Sequence, residues 1–231
     1  MKNNRSIYNL LLLVALMYFL LSCKKENTTI IPLVDGTVTD IDNNVYKTVT
    51  IGTQTWMAEN LKVTKYKDGT SIPLVTDNTA WKSLTTPAYC WYNNDATNKT
   101  VYGGLYNWYT VTTGKVCPTG WHVPSDTEWA TLINFLGGET LAGGKIKEKG
   151  LSRWLSPNTG ATNETGFTAI PGGFHDGNGR FAEVGNFGAW WSSASLSTST
   201  AWFYTAYSGD SNANKDDDYM RSGFSVRCVK D

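Results

Sequence analysis

Histidine is nearly missing from this chain: His122 and His175 are the only two among 231 residues. They stand far apart, with no Cys or carboxylate cluster at ligand spacing beside either, so they do not make a zinc site. An excess of one charge sign is lacking too, with 20 basic against 20 acidic residues. No basic run concentrates the cations locally, which leaves no field for nucleic acid. Phosphate loops, dinucleotide fingerprints and Gly-x-Ser-x-Gly elbows do not occur, and no internal repeat divides the chain. Long hydrophobic runs are scarce as well. The one from Leu10 to Leu21 has about a dozen residues, short of the roughly 20 that a spanning helix needs.

That run follows Lys2 and Arg5 and closes as Leu20-Leu21-Ser22-Cys23, ahead of Lys24, Lys25 and Glu26. This is the pattern of a bacterial lipoprotein signal with its lipobox. It predicts a leader over residues 1–22, removed on export, and a mature chain acylated at Cys23. Each buried methylene of the acyl chains contributes about 0.8 kcal/mol, so several chains together hold the protein on a membrane. Residues 23–40, with Asn27, Thr28, Thr29 and Pro32, read as a flexible tether, and residues 41–231 as one folded domain. The expected location is extracytoplasmic and membrane-anchored, at the outer membrane or cell surface.

What the chain does have is rings and turns: 10 Trp, 12 Tyr and 8 Phe beside 22 Gly. Flat rings among glycines suit a core of short strands and tight loops better than a helix bundle built on Leu, and they also suit sugar-binding surfaces. With Cys23 taken by lipid, Cys90, Cys117 and Cys228 remain, an odd number that allows one bridge and one free thiol. The pairing expected is Cys117–Cys228. It closes a loop of roughly 110 residues, for which chain entropy assigns about 4–5 kcal/mol. Cys90 is then a buried free thiol.

Hydrophobic periodicity places the elements. Val45–Ile51 and Gln54–Met57 read as a hairpin about Gly52-Thr53, and Thr76–Asn98 as an ordered insertion pinned by Trp81, Tyr89, Trp91 and Tyr92. After Pro124, Ser125 and Glu128 form a capping box. Trp129, Leu132, Ile133 and Leu136 then share one helical face, and Gly137-Gly138 supplies the stop. Shorter helices are expected at Leu105–Val111 and Leu141–Glu148. Strands are expected at Phe167–Ile170, Ala189–Ser192, Ala201–Tyr207 and Gly223–Val229, with a hairpin turn at Asp176-Gly177-Asn178-Gly179 between Phe174 and Phe181.

Several blocks resemble a known family. They are Tyr102-Gly103-Gly104-Leu105-Tyr106-Asn107-Trp108-Tyr109, Cys117-Pro118-Thr119-Gly120-Trp121-His122-Val123-Pro124-Ser125-Asp126 with Glu128-Trp129, and Gly223-Phe224-Ser225-Val226-Arg227-Cys228. In this order they resemble the signature blocks of the Fibrobacter succinogenes major paralogous domain family. Thr162-Asn163-Glu164-Thr165-Gly166-Phe167 and Trp190-Trp191-Ser192-Ser193 extend the match, which runs from about Val45 to Asp231. The resemblance implies an exported bacterial protein, often lipid-anchored.

The His122–Trp129 stretch and the closing Gly223-Phe224 to Arg227-Cys228 are similar, more distantly, to the formylglycine-generating-enzyme and C-type lectin-like folds. That similarity implies an α+β protein: a single compact C-type lectin-like domain with short twisted antiparallel strands, one main capped helix and long loops. Enzymes of that group use a cysteine pair near the C-terminal end or a histidine-rich iron site, whereas Cys228 stands alone there.

Candidate chemistry is sparse. His175 and Asp176 are adjacent in a hairpin and point to opposite faces, and His122, between Trp121 and Val123, reads as a packed core histidine. Asp210, Asn212 and Asn214, followed by Asp216 and Asp218, supply oxygen ligands for a loose calcium site, although Lys215 and Arg221 replace the Gly and Glu that an EF-hand needs. Glu59, Glu128, Glu164 and Glu183 could pair as catalytic carboxylates only if the fold brings two of them together.

Trp91, Trp190, Trp191 and Tyr207 are the candidate ligand-binding rings. The expectation is a non-catalytic surface module for glycan or protein ligands, with no cofactor except calcium. The alternative is a degenerate relative of formylglycine-generating oxidases or a polysaccharide-active enzyme.

Overall fold

Ser125 and Glu128 satisfy each other's backbone amides. The Ser125 hydroxyl accepts from the Glu128 N–H at 3.3 Å, and the Glu128 carboxylate accepts from the Ser125 N–H at 2.8 Å. This exchange opens the helix Asp126–Phe135 where the sequence predicts it. Gly137 and Gly138, at φ 97° and 94°, end it in a backbone region that a side chain would oppose. The computed structural model describes residues 33–231. The expected leader, the acylated Cys23 and the tether as far as residue 32 lie outside the described residues.

In chain order come β1 (Leu33–Thr39), β2 (Val45–Ile51), β3 (Gln54–Met57), α1 (Asn78–Lys82), β4 (Tyr89–Cys90), α2 (Asn98–Tyr102), β5 (Leu105–Asn107) and α3 (Trp108–Val111). Next are β6 (Trp121–His122), α4 (Asp126–Phe135), α5 (Glu139–Ile146), β7 (Gly172–His175) and β8 (Phe181–Val184). β9 (Phe187–Ser195), β10 (Thr200–Tyr207), β11 (Ala213–Tyr219), β12 (Gly223–Phe224) and β13 (Val229–Lys230) complete the order.

These strands form three antiparallel sheets, ordered β1-β2-β3-β13-β6, β4-β5-β12-β7-β8 and β11-β10-β9. The protein is thus a mixed α/β fold, mostly strand, with short helices and small sheets. The last residues re-enter the first sheet, where Val229 lies opposite Trp56 and His122. Cys228 is bonded to Cys117 with the Cα atoms 6.0 Å apart, as expected, and Cys90 is the buried free thiol.

Rings fill the core. Trp129, on the buried face of α4, lies 4.9 Å from Trp56 and stacks on Tyr204, also at 4.9 Å. Trp190 and Trp191 are neighbours on β9 and face opposite ways, yet they are 1% and 0% exposed. Trp190 packs toward Trp129 and Phe167, and Trp191 toward Phe203 and Phe224. A sheet covered on both faces buries both members of an adjacent pair, and each full burial contributes on the order of 2–3 kcal/mol.

Four expectations are corrected. β1 occupies residues 33–39, inside the span read as tether, because its backbone completes a ladder with β2. Leu105–Asn107 is a strand, and helix begins only at Trp108, since the Asn107 side chain caps it by accepting from the Thr110 N–H. Phe167–Ile170 is no regular strand: Ala169 makes one isolated bridge to Lys147, and the strand starts beyond Pro171, at Gly172. Gly223–Val229 breaks into β12 and β13, which belong to different sheets.

Candidate ligand-binding cleft

A cavity of about 510 Å³ opens between β2, the Ala58–Lys62 segment, α2 and the Asn163–Thr168 segment. That volume lies in the range of small-molecule sites. Its walls carry Lys47, Lys62, Lys99 and Arg153 against Glu59 and Glu148, and Arg227 lies beneath its floor. Lys62 is 3.7 Å from Glu59, and Arg153 is bonded to Glu148. Lys47 and Lys99 have no ion-pair partner among the described residues, and the Lys99 ammonium rests 5.6 Å above the Trp91 ring.

Arg227 is fully buried and has no carboxylate within bonding distance among the described residues. Its Nε donates to Asn60 Oδ1 at 3.0 Å, its Nη1 to the carbonyls of Phe167 and, at 3.4 Å, Met57, and its Nη2 to the Thr168 carbonyl at 2.7 Å. The guanidinium lies 4.2 Å from the Phe167 ring centroid. Burial pushes its pKa down to about 9, and Glu59, the nearest carboxylate acting on it, only partly offsets this. Neutral carbonyls supply hydrogen bonds without removing the charge.

The surrounding chain is shaped to reach this one group. Thr168 holds φ at 55°, a left-handed conformation that costs a β-branched residue about 1–3 kcal/mol. It is held there by its neighbour: the Thr168 N–H donates to Asn163 Oδ1 at 2.8 Å, and Asn163 Nδ2 donates to the Thr168 hydroxyl at 3.0 Å. Asn60 joins the other wall. It accepts from Trp190 Nε1 at 2.9 Å and donates to the Tyr102 carbonyl at 2.9 Å and to Ser225 Oγ at 3.1 Å. Gly103, at φ 78°, follows Tyr102, and a Cβ there would meet the Leu61 carbonyl at 2.7 Å. The Tyr102-Gly103, Asn163–Phe167, Trp190 and Arg227 blocks, distant in sequence, therefore meet around the cleft floor.

The predicted ring site does not form. Trp190 and Trp191 are core residues, Trp91 is 6% exposed with its edge against Tyr89, and Tyr207 is the exposed one at 39%. Tyr207 is no part of the cleft lining; its hydroxyl accepts from Asn186 Nδ2 at 2.9 Å.

The predicted calcium loop also changes character. Asn214, Asp216 and Asp218 lie in β11, whose extended backbone spaces same-face side chains roughly 7 Å apart. Burial holds the Asp218 carboxyl above its ordinary pKa. The Asp210 Oδ1 accepts from the Asn212 N–H at 2.8 Å. The Asp210 carbonyl is taken by the buried ammonium of Lys147 at 2.6 Å, which also donates to the carbonyls of Tyr207 at 2.7 Å and Thr159 at 2.9 Å. The chain places its own cation at this loop. Among the described residues no group of three His, Cys, Asp or Glu side chains is arranged to hold a metal ion.

Both histidines differ from a catalytic pair. His122, expected in the core, is 41% exposed in its side chain and clamped, with Nε2 2.8 Å from Glu128 Oε1 and Nδ1 2.7 Å from Asp231 Oδ1. Burial opposes its charged form, but the two carboxylates outweigh that and raise its pKa. His175 is enclosed by Trp81 and Phe181 at 4.4 Å and 4.2 Å, and burial pushes its pKa down to about 4. Of the four candidate glutamates, Glu59 alone lines the cleft. Glu128 pairs with His122, Glu164 with Lys145 at 3.3 Å, and Glu183 accepts from Asn186 at 2.7 Å.

Sequence reasoning missed Lys47, Asn60, Lys99 and the central place of Arg227. Arg227 lies in the Gly-Phe-Ser-Val-Arg-Cys block and Lys47 in the Val45–Ile51 strand, but neither signal marks them as site residues. Compared with known families, residues 49–230 match the description Fibrobacter succinogenes major domain. No curated protein and no solved structure matches the chain.

Proposed function

This chain belongs to the Fibrobacter succinogenes major domain family, and we propose that it is a non-catalytic binding module, exported and held on a membrane by lipid at Cys23, that takes a glycan in the cleft above Arg227. The observation that carries this reading is the cleft itself. It has small-molecule dimensions, is walled by more cations than carboxylates, and is braced by a strained Thr168. A lectin-like domain, with ligand taken among its loops, is part of the proposal.

Catalysis is less well supported. Glu59 and Glu148 share the cleft, but each is engaged by a cation rather than free to act as an acid–base pair. An oxidase of the formylglycine-generating type needs a thiol pair. Here Cys228 is bridged to Cys117, and burial holds the Cys90 thiol well above its ordinary pKa.

Two measurements test the reading. Glycan arrays and cell-wall pull-downs with the purified chain, with and without calcium, are expected to show binding; none in either condition refutes it. Labelling with a palmitate analogue is expected to mark the chain and to disappear in Cys23→Ala. Equal labelling of that variant refutes the anchor.

A further inference from the structure

The cleft concentrates charge that the rest of the protein does not have. Among 20 basic and 20 acidic residues overall, the cleft gathers Lys47, Lys62, Lys99, Arg153 and Arg227 around Glu59 and Glu148. Lys62 pairs with Glu59 and Arg153 with Glu148, so Lys47, Lys99 and Arg227 form no ion pair among the described residues, and the field of Glu59 offsets Arg227 only in part. Lys47 is exposed and Lys99 half-buried on the walls, while Arg227 is sealed under the floor. A cation in a low-dielectric interior without a counter-ion projects its field into the nearest solvent-filled space, and concave walls focus it there. Of the five guanidinium N–H groups, four have acceptors among the described residues, all of them neutral oxygens.

Resting on the glycan-binding reading, we infer that the ligand is an acidic saccharide whose carboxylate sits in this cleft, contacted by Lys47 and Lys99 and stabilised through the floor by the field of Arg227. The saccharide class comes from the glycan-binding reading, and an acidic peptide is the competing outcome of the test. Of the polar lining side chains Thr100 is exposed and offers its hydroxyl, whereas Thr48 is buried and those of Asn60, Asn163 and Thr168 are already paired within the wall. The cations then have a division of labour: those on the walls release solvent and counter-ions on binding, while the buried one costs nothing further to desolvate.

The test is titration calorimetry of the full chain in detergent with three probes: a short oligogalacturonate, the same oligomer as its methyl ester, and an oligoglutamate peptide. The acid form is expected to bind at least roughly tenfold tighter than the neutral ester, with affinity falling as salt rises. Lys47→Gln with Lys99→Gln is expected to reduce acid-form affinity by roughly tenfold and to flatten the salt dependence. Lys230→Gln, outside the cleft, is expected to leave both unchanged. Equal binding of ester and acid overturns the charge inference while leaving a glycan-binding cleft standing. Tighter binding of oligoglutamate overturns the saccharide class. Absence of binding by both saccharides, together with a blank glycan array, removes the underlying reading as well.

Discussion

Arg227 donates through Nε to the side-chain oxygen of Asn60 at 3.0 Å, and that oxygen has a second donor in Trp190 Nε1 at 2.9 Å. One neutral amide thus orients a buried cation and a buried indole while its Nδ2 holds the Tyr102 carbonyl and Ser225. Asn60→Ala leaves these groups unpaired away from water, at about 1–3 kcal/mol for the costliest of them and less than additively for the rest. Urea unfolding is expected to show a loss of about 3 kcal/mol. Asn60→Asp, which keeps the acceptor and adds a counter-ion, is expected to lose less stability than Asn60→Ala while weakening binding of an acidic ligand.

The Cys117–Cys228 bridge, spanning 111 residues, joins the approach to β6 to the strand that closes the first sheet. Cys117→Ala with Cys228→Ala is expected to lower unfolding stability by up to about 4–5 kcal/mol. The loss is expected without a change of fold, read as a shifted denaturant midpoint with native near-ultraviolet dichroism at zero denaturant. Cys90 is expected to resist alkylation in the native state and to react only on unfolding, because burial holds it as thiol.

His175 ties stability to acid. Its folded pKa is depressed to about 4 by burial, its Nδ1 has no hydrogen-bond partner among the described residues, and the unfolded value is near 6.5. The unfolded chain therefore binds the proton more readily, so the stability from neutral His175 is complete above about pH 6.5 and is lost as pH falls toward 4. His175→Phe is expected to flatten the melting-temperature profile across that window. An unchanged acid limb would contradict this.

His122 carries the opposite sign. Its folded pKa is raised, so the stability from its clamp is complete below pH 6.5 and disappears as pH rises through the folded value. The side chain is well exposed, so the expected effect on stability is small. An NMR titration is expected to place His122 above 6.5 and to show it dropping in Asp231→Asn.

What could be read in the sequence was local. The helix Asp126–Phe135 announces itself through Ser125, Glu128 and four apolar residues at helical spacing, and the hairpins through their Gly turns, because those signals depend on neighbours a few residues apart. Cys117 and Cys228 were legible because so few cysteines offer so few pairings. The rings misled: adjacent Trp190 and Trp191 suggest one face out, and Trp191 is buried as well because Phe224 from another sheet packs on it beside its cross-strand neighbour Phe203. His122 looks like core between Trp121 and Val123 because its partner Asp231 is 109 residues away. Arg227 fails for the same reason. On a strand whose Phe224, Val226 and Cys228 point inward, an arginine at the alternate position reads as solvent-facing, and nothing nearby shows that Phe167 and Thr168 close over it.

The most direct test of the binding cleft is a two-dimensional amide and guanidinium NMR spectrum of the full chain in detergent, recorded with rising oligogalacturonate. The expected result is that the largest shifts fall on Asn60, Gly103, the amides of Asn163–Thr168 and the Nε–H of Arg227. Shifts centred instead on Tyr207 and the β9–β11 sheet, or a spectrum unmoved at high ligand concentration, would contradict the account.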